Sequence, residues 1–298
     1  MKKYSLLQNY KKENFFRDPF PHLIIKNALP DNLYTDLSEK VPNNFVENIN
    51  INNSRGNVFL NQINGNPQHE LWTNFLKYHQ SEEFFNEIFN IFGNDIKKIH
   101  SEISEKIEKI KKISIFENKN SLNQDALNLN SYYCYNTPVK NTSSVRGVHL
   151  DIYNKLHIGL FYLRSNNDST EGGNLALHKW KENYDLKKKK QVLYTEKFKQ
   201  LNLHTSKVKE VPYQKNTFFL AINSIDALHS VTVREKTNQV RQFCYFYSSL
   251  NHELDNFKAN IFEKLFIKNI TLFQKFKILI LSIKNLYQKI LLKRNDYL

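Results

Sequence analysis

The sequence predicts an α+β fold: a double-stranded β-helix (jelly-roll) core with N-terminal packing helices and a C-terminal helical extension. Three observations carry that expectation. Apolar residues recur at three and four between Glu70 and about Lys112, which is helical periodicity. Short alternating apolar segments separated by polar turns replace that pattern from about Leu127 to residue 249. Beyond Leu250 the helical spacing returns.

Residues 18 to 42 read as a short apolar strand, a turn at Leu29 and Pro30, and a helix opening near Asp31. Trp72, Phe75, Leu76, Phe84, Phe85, Ile88 and Phe89 form the helical stripe that follows, so residues 1–110 are expected to supply a strand and helices that pack on the core. The segments SYYCYN, KLHIGLFYL, NLALHKW, TFFLAIN and QVRQFCYFYS read as strands without helices between them, which implies an antiparallel sandwich or barrel over 111–250. The stretch 179–210, with KKKK at 187–190, has no clear period and reads as an insertion at the barrel rim. In 251–298, Phe262, Phe266, Ile270, Phe273, Ile280 and Tyr287 make one stripe among lysines, a basic amphipathic tail. Packing on its own domain or a partner subunit is the first reading of that tail, and peripheral membrane contact through 257–294 the second. Oligomeric state is not legible.

With 298 residues, 40% hydrophobic content, 22 Phe and 16 Tyr, the chain can bury one full core; 7 Gly and 7 Pro leave little room for loose linkers. A net charge of +14 ordinarily points to nucleic acid or an anionic surface. The abundance of Asn, Lys and Ile throughout, with little Ala, explains it equally well as compositional drift. Cys134 and Cys244 lie too far apart for a zinc-binding pair and point to a reducing, cytoplasmic setting. The N-terminus lacks an apolar signal core, and the run from Ile278 to Leu281 is far shorter than the roughly 20 residues of a spanning helix.

Chemistry is carried by His149 and Asp151. Two apart on an extended backbone, their side chains project to one face and can reach one metal. His100 and Glu102 show the same spacing on a helical stretch, where they diverge, so they read as a solvated helix face. Ferrous oxygenases hold iron with two imidazoles and one carboxylate on one octahedral face. The second imidazole is expected from His229, between TFFLAIN and the extended run SVTV. Arg241 then heads a strand whose Phe243, Tyr245 and Tyr247 share its face; a cation walled by rings needs an anion, and the far carboxylate of a dicarboxylic keto acid meets that need. His157 and His178 have no carboxylate at ligand spacing and read as packing or pocket-wall residues, and Gly172 and Gly173 as a tight turn.

The ordered set VRGVHLDIYNKLHIGLFYLR, EGGNLALHKW, VPYQKNTFFLAINSIDALHSVTV and QVRQFCYFY, over about residues 127 to 249, resembles the 2-oxoglutarate and iron(II)-dependent oxygenases, in their prolyl 4-hydroxylase-like branch. DPFPHLIIKNALP resembles the strand often found ahead of that core. By this resemblance His149, Asp151 and His229 are catalytic iron ligands and Arg241 clamps the 2-oxoglutarate side chain. It also implies a tyrosine on 2-oxoglutarate from the strand before HxD, Tyr135, with Tyr133 the alternative. The implied activity is a dioxygenase: Fe(II), 2-oxoglutarate and O2, with ascorbate as an auxiliary reductant, hydroxylate a small molecule, saccharide or peptidyl side chain and release succinate and CO2. The carboxylate at position 151 argues against chlorination, and REKTNQVRQ lacks the RxNxTxR signature of nucleic-acid demethylases, so nucleic acid is not the expected substrate. The competing reading is a non-catalytic jelly-roll binding module with a docking tail.

Overall fold

The structure, a computed structural model, describes residues 4–42, 49–116, 126–195, 201–254 and 256–257. The expected C-terminal helix lies outside these residues.

Strands β1 (Phe15–Phe16), β2 (His22–Lys26) and β3 (Arg55–Phe59) come from the N-terminal region, with helix α1 (Asp31–Glu39) between them. Helices α2 (Leu60–Ile63), α3 (Glu70–His79), α4 (Glu82–Ile99) and α5 (Ser101–Ser104) follow, then β4 (Lys111–Ser114) and β5 (Ala126–Asn136). Next are β6 (Lys155–Tyr162), β7 (Leu175–Trp180), α6 (Leu186–Thr195), α7 (Leu201–His204), β8 (Thr205–Val211), β9 (Thr217–Ile222), β10 (His229–Val231) and β11 (Arg241–Ser249).

The strands make two sheets. The larger runs β1-β2-β9-β6-β11-β5-β3, with β4 parallel to β5; the smaller runs β10-β7-β8. The chain at His149 extends the smaller sheet through an antiparallel bridge to His229. Residues paired across an antiparallel ladder share a face. On the larger sheet Arg241 pairs with Asn136, Phe243 with Cys134 and Tyr162, and Tyr245 with Tyr132 and Leu160. That set faces the smaller sheet, because Arg241, Phe243, Tyr245 and Leu160 line one cavity together with Leu175 and His229.

The opposite face of the larger sheet carries Tyr133, Phe161, Phe218 and Phe246 and is covered by α3 and α4. Helix α4 begins where Ser81 accepts a hydrogen bond from the Phe84 N–H, at 3.2 Å. Glu82 and Glu83 in its first turn and Lys97 and Lys98 in its last suit the helix dipole. Its Phe84, Phe85, Ile88, Phe92 and Ile96 are buried. Phe75 of α3 packs within 6.0 Å of Phe161 and 6.2 Å of Phe246, ring centre to centre. Truncating Phe75 to Ala is expected to cost about 3–5 kcal/mol.

The expected N-terminal helices are present, but that region also contributes three strands to the larger sheet. RGNVF at β3 alternates too weakly to be read as a strand. The stretch read as a rim insertion holds α6 and α7, yet its last residues form β8, a member of the smaller sheet. His100 is not solvated: it is fully buried where α4 ends, its Nε2 2.8 Å from the Asn223 carbonyl, while Glu102 is exposed. Among the described residues no helix is long and apolar enough to cross a membrane.

Candidate metal centre

The structure brings His149, Asp151 and His229 together. One ligand atom from each lies within 4.8 Å of the others, and all three residues are buried. The two histidines face each other across the bridge: each backbone N–H donates to the other's carbonyl, at 2.9 and 3.0 Å. Their ring centres are 4.2 Å apart. In both, Nδ1–H donates to the carbonyl two residues earlier, His149 to Gly147 at 2.8 Å and His229 to Ala227 at 2.9 Å. That orients each ring so that Nε2 is the nitrogen left to serve as a ligand.

Burial, then the neighbouring His229 and Arg146, lowers the His149 pKa to about 2. This imidazole is a neutral donor. Burial alone pushes the Asp151 carboxyl up; the hydrogen bond with His229 and the charge of Lys155 outweigh it and hold the group well below the usual carboxylate range. Asp151 Oδ2 lies 3.4 Å from His229 Nε2, while Oδ1 accepts from Lys155 Nζ at 3.2 Å and from the Tyr245 hydroxyl at 2.9 Å. Burial and the adjacent Asp151 charge keep the Tyr245 hydroxyl protonated. The sequence assigns no role to Lys155 and marks Tyr245 only as a ring on the Arg241 face. A lysine in a strand reads as a solvated side chain even four residues from Asp151, and no local spacing links Tyr245 to Asp151.

Two imidazole nitrogens and one ionised carboxylate, each oriented by a second hydrogen bond, are the donor set suited to a ferrous ion with open positions. The triad opens on two cavities. The smaller, about 130 Å³, runs between the sheets to Arg241. The larger, about 1200 Å³, lies outside the triad between residues 144–154, 230–233 and 251–253.

Arg241 is 3% exposed and makes no ion pair among the described residues. Its Nε donates to the Gly173 carbonyl at 3.0 Å and its Nη1 to Asn136 Oδ1 at 3.2 Å. Its guanidinium lies over Phe243, Tyr213 and Tyr162 at 4.7 to 5.2 Å. Gly172 and Gly173 adopt φ of +80° and +71°, the turn expected of them, and a Cβ on Gly172 would strike the Val233 carbonyl oxygen. Beside Arg241, Asn136 Nδ2 and the Tyr162 hydroxyl are buried without a hydrogen-bond partner. A buried cation with orphaned donors fits a carboxylate.

Tyr135 is not at this site. It pairs with Gln242 and Gly56, on the opposite face of the sheet from Asn136 and Arg241. Its ring covers Gly56 so closely that a Cβ there would meet the ring at 2.0 Å. Tyr133 shares that outer face and packs on Trp72 at 5.5 Å. The parity of β5 therefore excludes both tyrosines from the cavity. His157 and His178 are not part of the ligand cluster, with Nδ1 and Nε2 2.7 and 2.8 Å from the hydroxyls of Ser248 and Ser230.

No family model and no curated protein matches the sequence. The structure is similar to a prolyl-4-hydroxylase from Pseudomonas putida, at 10% identity over 78% of this chain and 88% of that one, TM-score 0.38. It is similar to a prolyl hydroxylase from Trichoplax adhaerens in complex with a hypoxia inducible factor oxygen degradation domain peptide fragment, at 11% identity over 76% and 83% of the two chains, TM-score 0.39. A third similar structure is HygX from Streptomyces hygroscopicus with nickel and 2-oxoglutarate bound, at 11% identity over 81% and 88%, TM-score 0.41.

Proposed function

We propose that this chain is a 2-oxoglutarate-dependent Fe(II) dioxygenase that hydroxylates its substrate, with its two facing sheets forming a double-stranded β-helix. The observation that carries the reading is the convergence of His149 Nε2, His229 Nε2 and the Asp151 carboxylate, with both imidazole Nδ1–H groups tied to backbone carbonyls.

His149, His229 and Asp151 would hold the iron. Arg241, Asn136 and Tyr162 would take the far carboxylate of the keto acid, whose other end reaches the metal through the smaller cavity. When bound, the ion and keto acid supply oxidation of a C–H bond coupled to release of succinate and CO2.

The chain's own residues do three things. Lys155 and Tyr245 fix the outer oxygen of Asp151, so the inner oxygen keeps one orientation toward the ligand position. Ile158, Leu160, Phe219 and Phe243 wall the smaller cavity and exclude water from it. The larger cleft, with His149 and Asp151 in its wall, leaves room for a substrate the size of an oligosaccharide or a peptide segment. Cytoplasmic location and peripheral contact through 257–294 belong to the same proposal.

Succinate release by iron-loaded protein given 2-oxoglutarate and O2 tests it. Turnover that requires all three triad residues supports the reading. Absence of succinate together with failure to bind iron refutes it.

A further inference from the structure

The charge around the triad is unbalanced. Four cations approach it: Arg241, Lys155, Arg55 and Arg146. Among the described residues one acid, Asp151, lines the smaller cavity, against three arginines. Lys155 is already paired with Asp151 at 3.2 Å. A divalent ion and a doubly charged keto acid would cancel each other. Arg241, Arg55 and Arg146 then remain, and the proposed contact of Arg241 is with a carboxylate included in that cancellation.

Arg55 reaches the cavity from β3, in the N-terminal region and outside the 111–250 span read as the oxygenase core. Its guanidinium carbon lies 5.3 Å from the ring centres of both Phe243 and Tyr245. Its Nη2 meets Cys134 Sγ at 3.4 Å and its Nε meets Asn57 Oδ1 at 3.2 Å, both neutral partners. Tyr245 is the residue that holds Asp151, so Arg55 stands one ring from the metal site. Arg146 is exposed and lines both the smaller cavity and the larger cleft, at the boundary between them. Among the described residues neither arginine makes an ion pair, and Glu253, across the larger cleft, makes none either.

A cation laid over rings and held by neutral partners at the mouth of a cavity keeps its attraction for an anion. Clefts lined by one sign of charge also concentrate ligands of the other. We infer that the substrate is anionic, carrying a carboxylate or a phosphate that docks between Arg55 and Arg146 while the C–H bond to be oxidised faces the triad. This rests on the oxygenase reading and deepens it: Arg55 and Arg146 would determine specificity, and Arg241 would serve the keto acid.

The test is anaerobic calorimetry on iron-loaded protein with 2-oxoglutarate, so that binding is read without turnover. The probes are inorganic phosphate and the matched set glucose, glucuronate and glucose 6-phosphate. 2-Oxoglutarate binding is measured first, and its failure would count against the oxygenase reading itself. Given that binding, phosphate should bind, and the charged sugars should bind at least about tenfold tighter than glucose. R55Q and R146Q should each lower that preference several-fold; both positions are exposed, and R146Q keeps the test valid if R55Q fails to fold. Preference for glucose 6-phosphate assigns a phosphate group, and preference for glucuronate a carboxylate. Equal affinity for glucose and its charged derivatives, or a charge preference unchanged in the double variant, would overturn the inference.

Discussion

His149 and His229 are hydrogen-bonded to each other through both backbone N–H groups, at 2.9 and 3.0 Å, and this reciprocal bridge sets their rings 4.2 Å apart, centre to centre. The backbone thus places the two imidazoles before any metal is considered. Replacing either with Ala, or Asp151 with Ala, should lower iron affinity at least about 100-fold and abolish succinate release, with little loss of fold stability. Metal content after dialysis, read beside circular dichroism, checks this.

Asp151 is held through its outer oxygen by Lys155 and Tyr245. Tyr245→Phe removes one of these bonds with little change in volume. Metal affinity or kcat should fall about 10- to 100-fold while thermal stability shifts little. An unchanged metal affinity and kcat would show that the Asp151 orientation does not depend on this hydroxyl.

The carboxylate site around Arg241 separates two tyrosines. Tyr162→Phe and Asn136→Ala should each raise the KM for 2-oxoglutarate, and Arg241→Ala should raise it about 10- to 100-fold, with kcat less affected. Tyr135→Phe, on the other face of β5, should leave that KM unchanged. Initial rates of succinate formation against 2-oxoglutarate concentration distinguish these outcomes.

Two histidines far from the triad make stability depend on pH. Burial lowers the pKa of His79 and of His157 from 6.5 to about 3. The unfolded chain therefore binds protons below pH 6.5 that the folded chain does not. Their contribution is complete above pH 6.5 and is lost as pH falls toward 3, by about 2 kcal/mol each between pH 6.5 and 5. Denaturant midpoints of the metal-free protein at pH 7 and pH 5 should show this loss, and His79→Gln should reduce it.

Much of this site is legible in the sequence for a local reason. HxD on extended backbone places two ligands on one face wherever the strand goes, and His229 lies next to a strand the pattern already marks. Arg241 heads a strand whose Phe243 and Tyr245 do share its face and wall its cavity. Tyr135 is misread because β5 is buried on both faces, so its alternation gives no parity; only the pairing of Arg241 with Asn136 decides it. Tyr245 and Arg55 are assembled by contacts between distant strands, which no spacing in the chain encodes, while Lys155 stands only four residues after Asp151, a spacing that signals a contact on a helix but not on this non-helical backbone. Likewise β8 hides behind the lysine-rich helix before it, because its exposed residues leave no apolar alternation to read.

Anaerobic Fe(II) titration of the wild-type chain and of Asp151→Ala probes the centre most directly. One ferrous ion per chain in the wild type, lost in the variant, is the expected result. Equal iron binding by the two proteins would contradict a metal centre built on His149, Asp151 and His229.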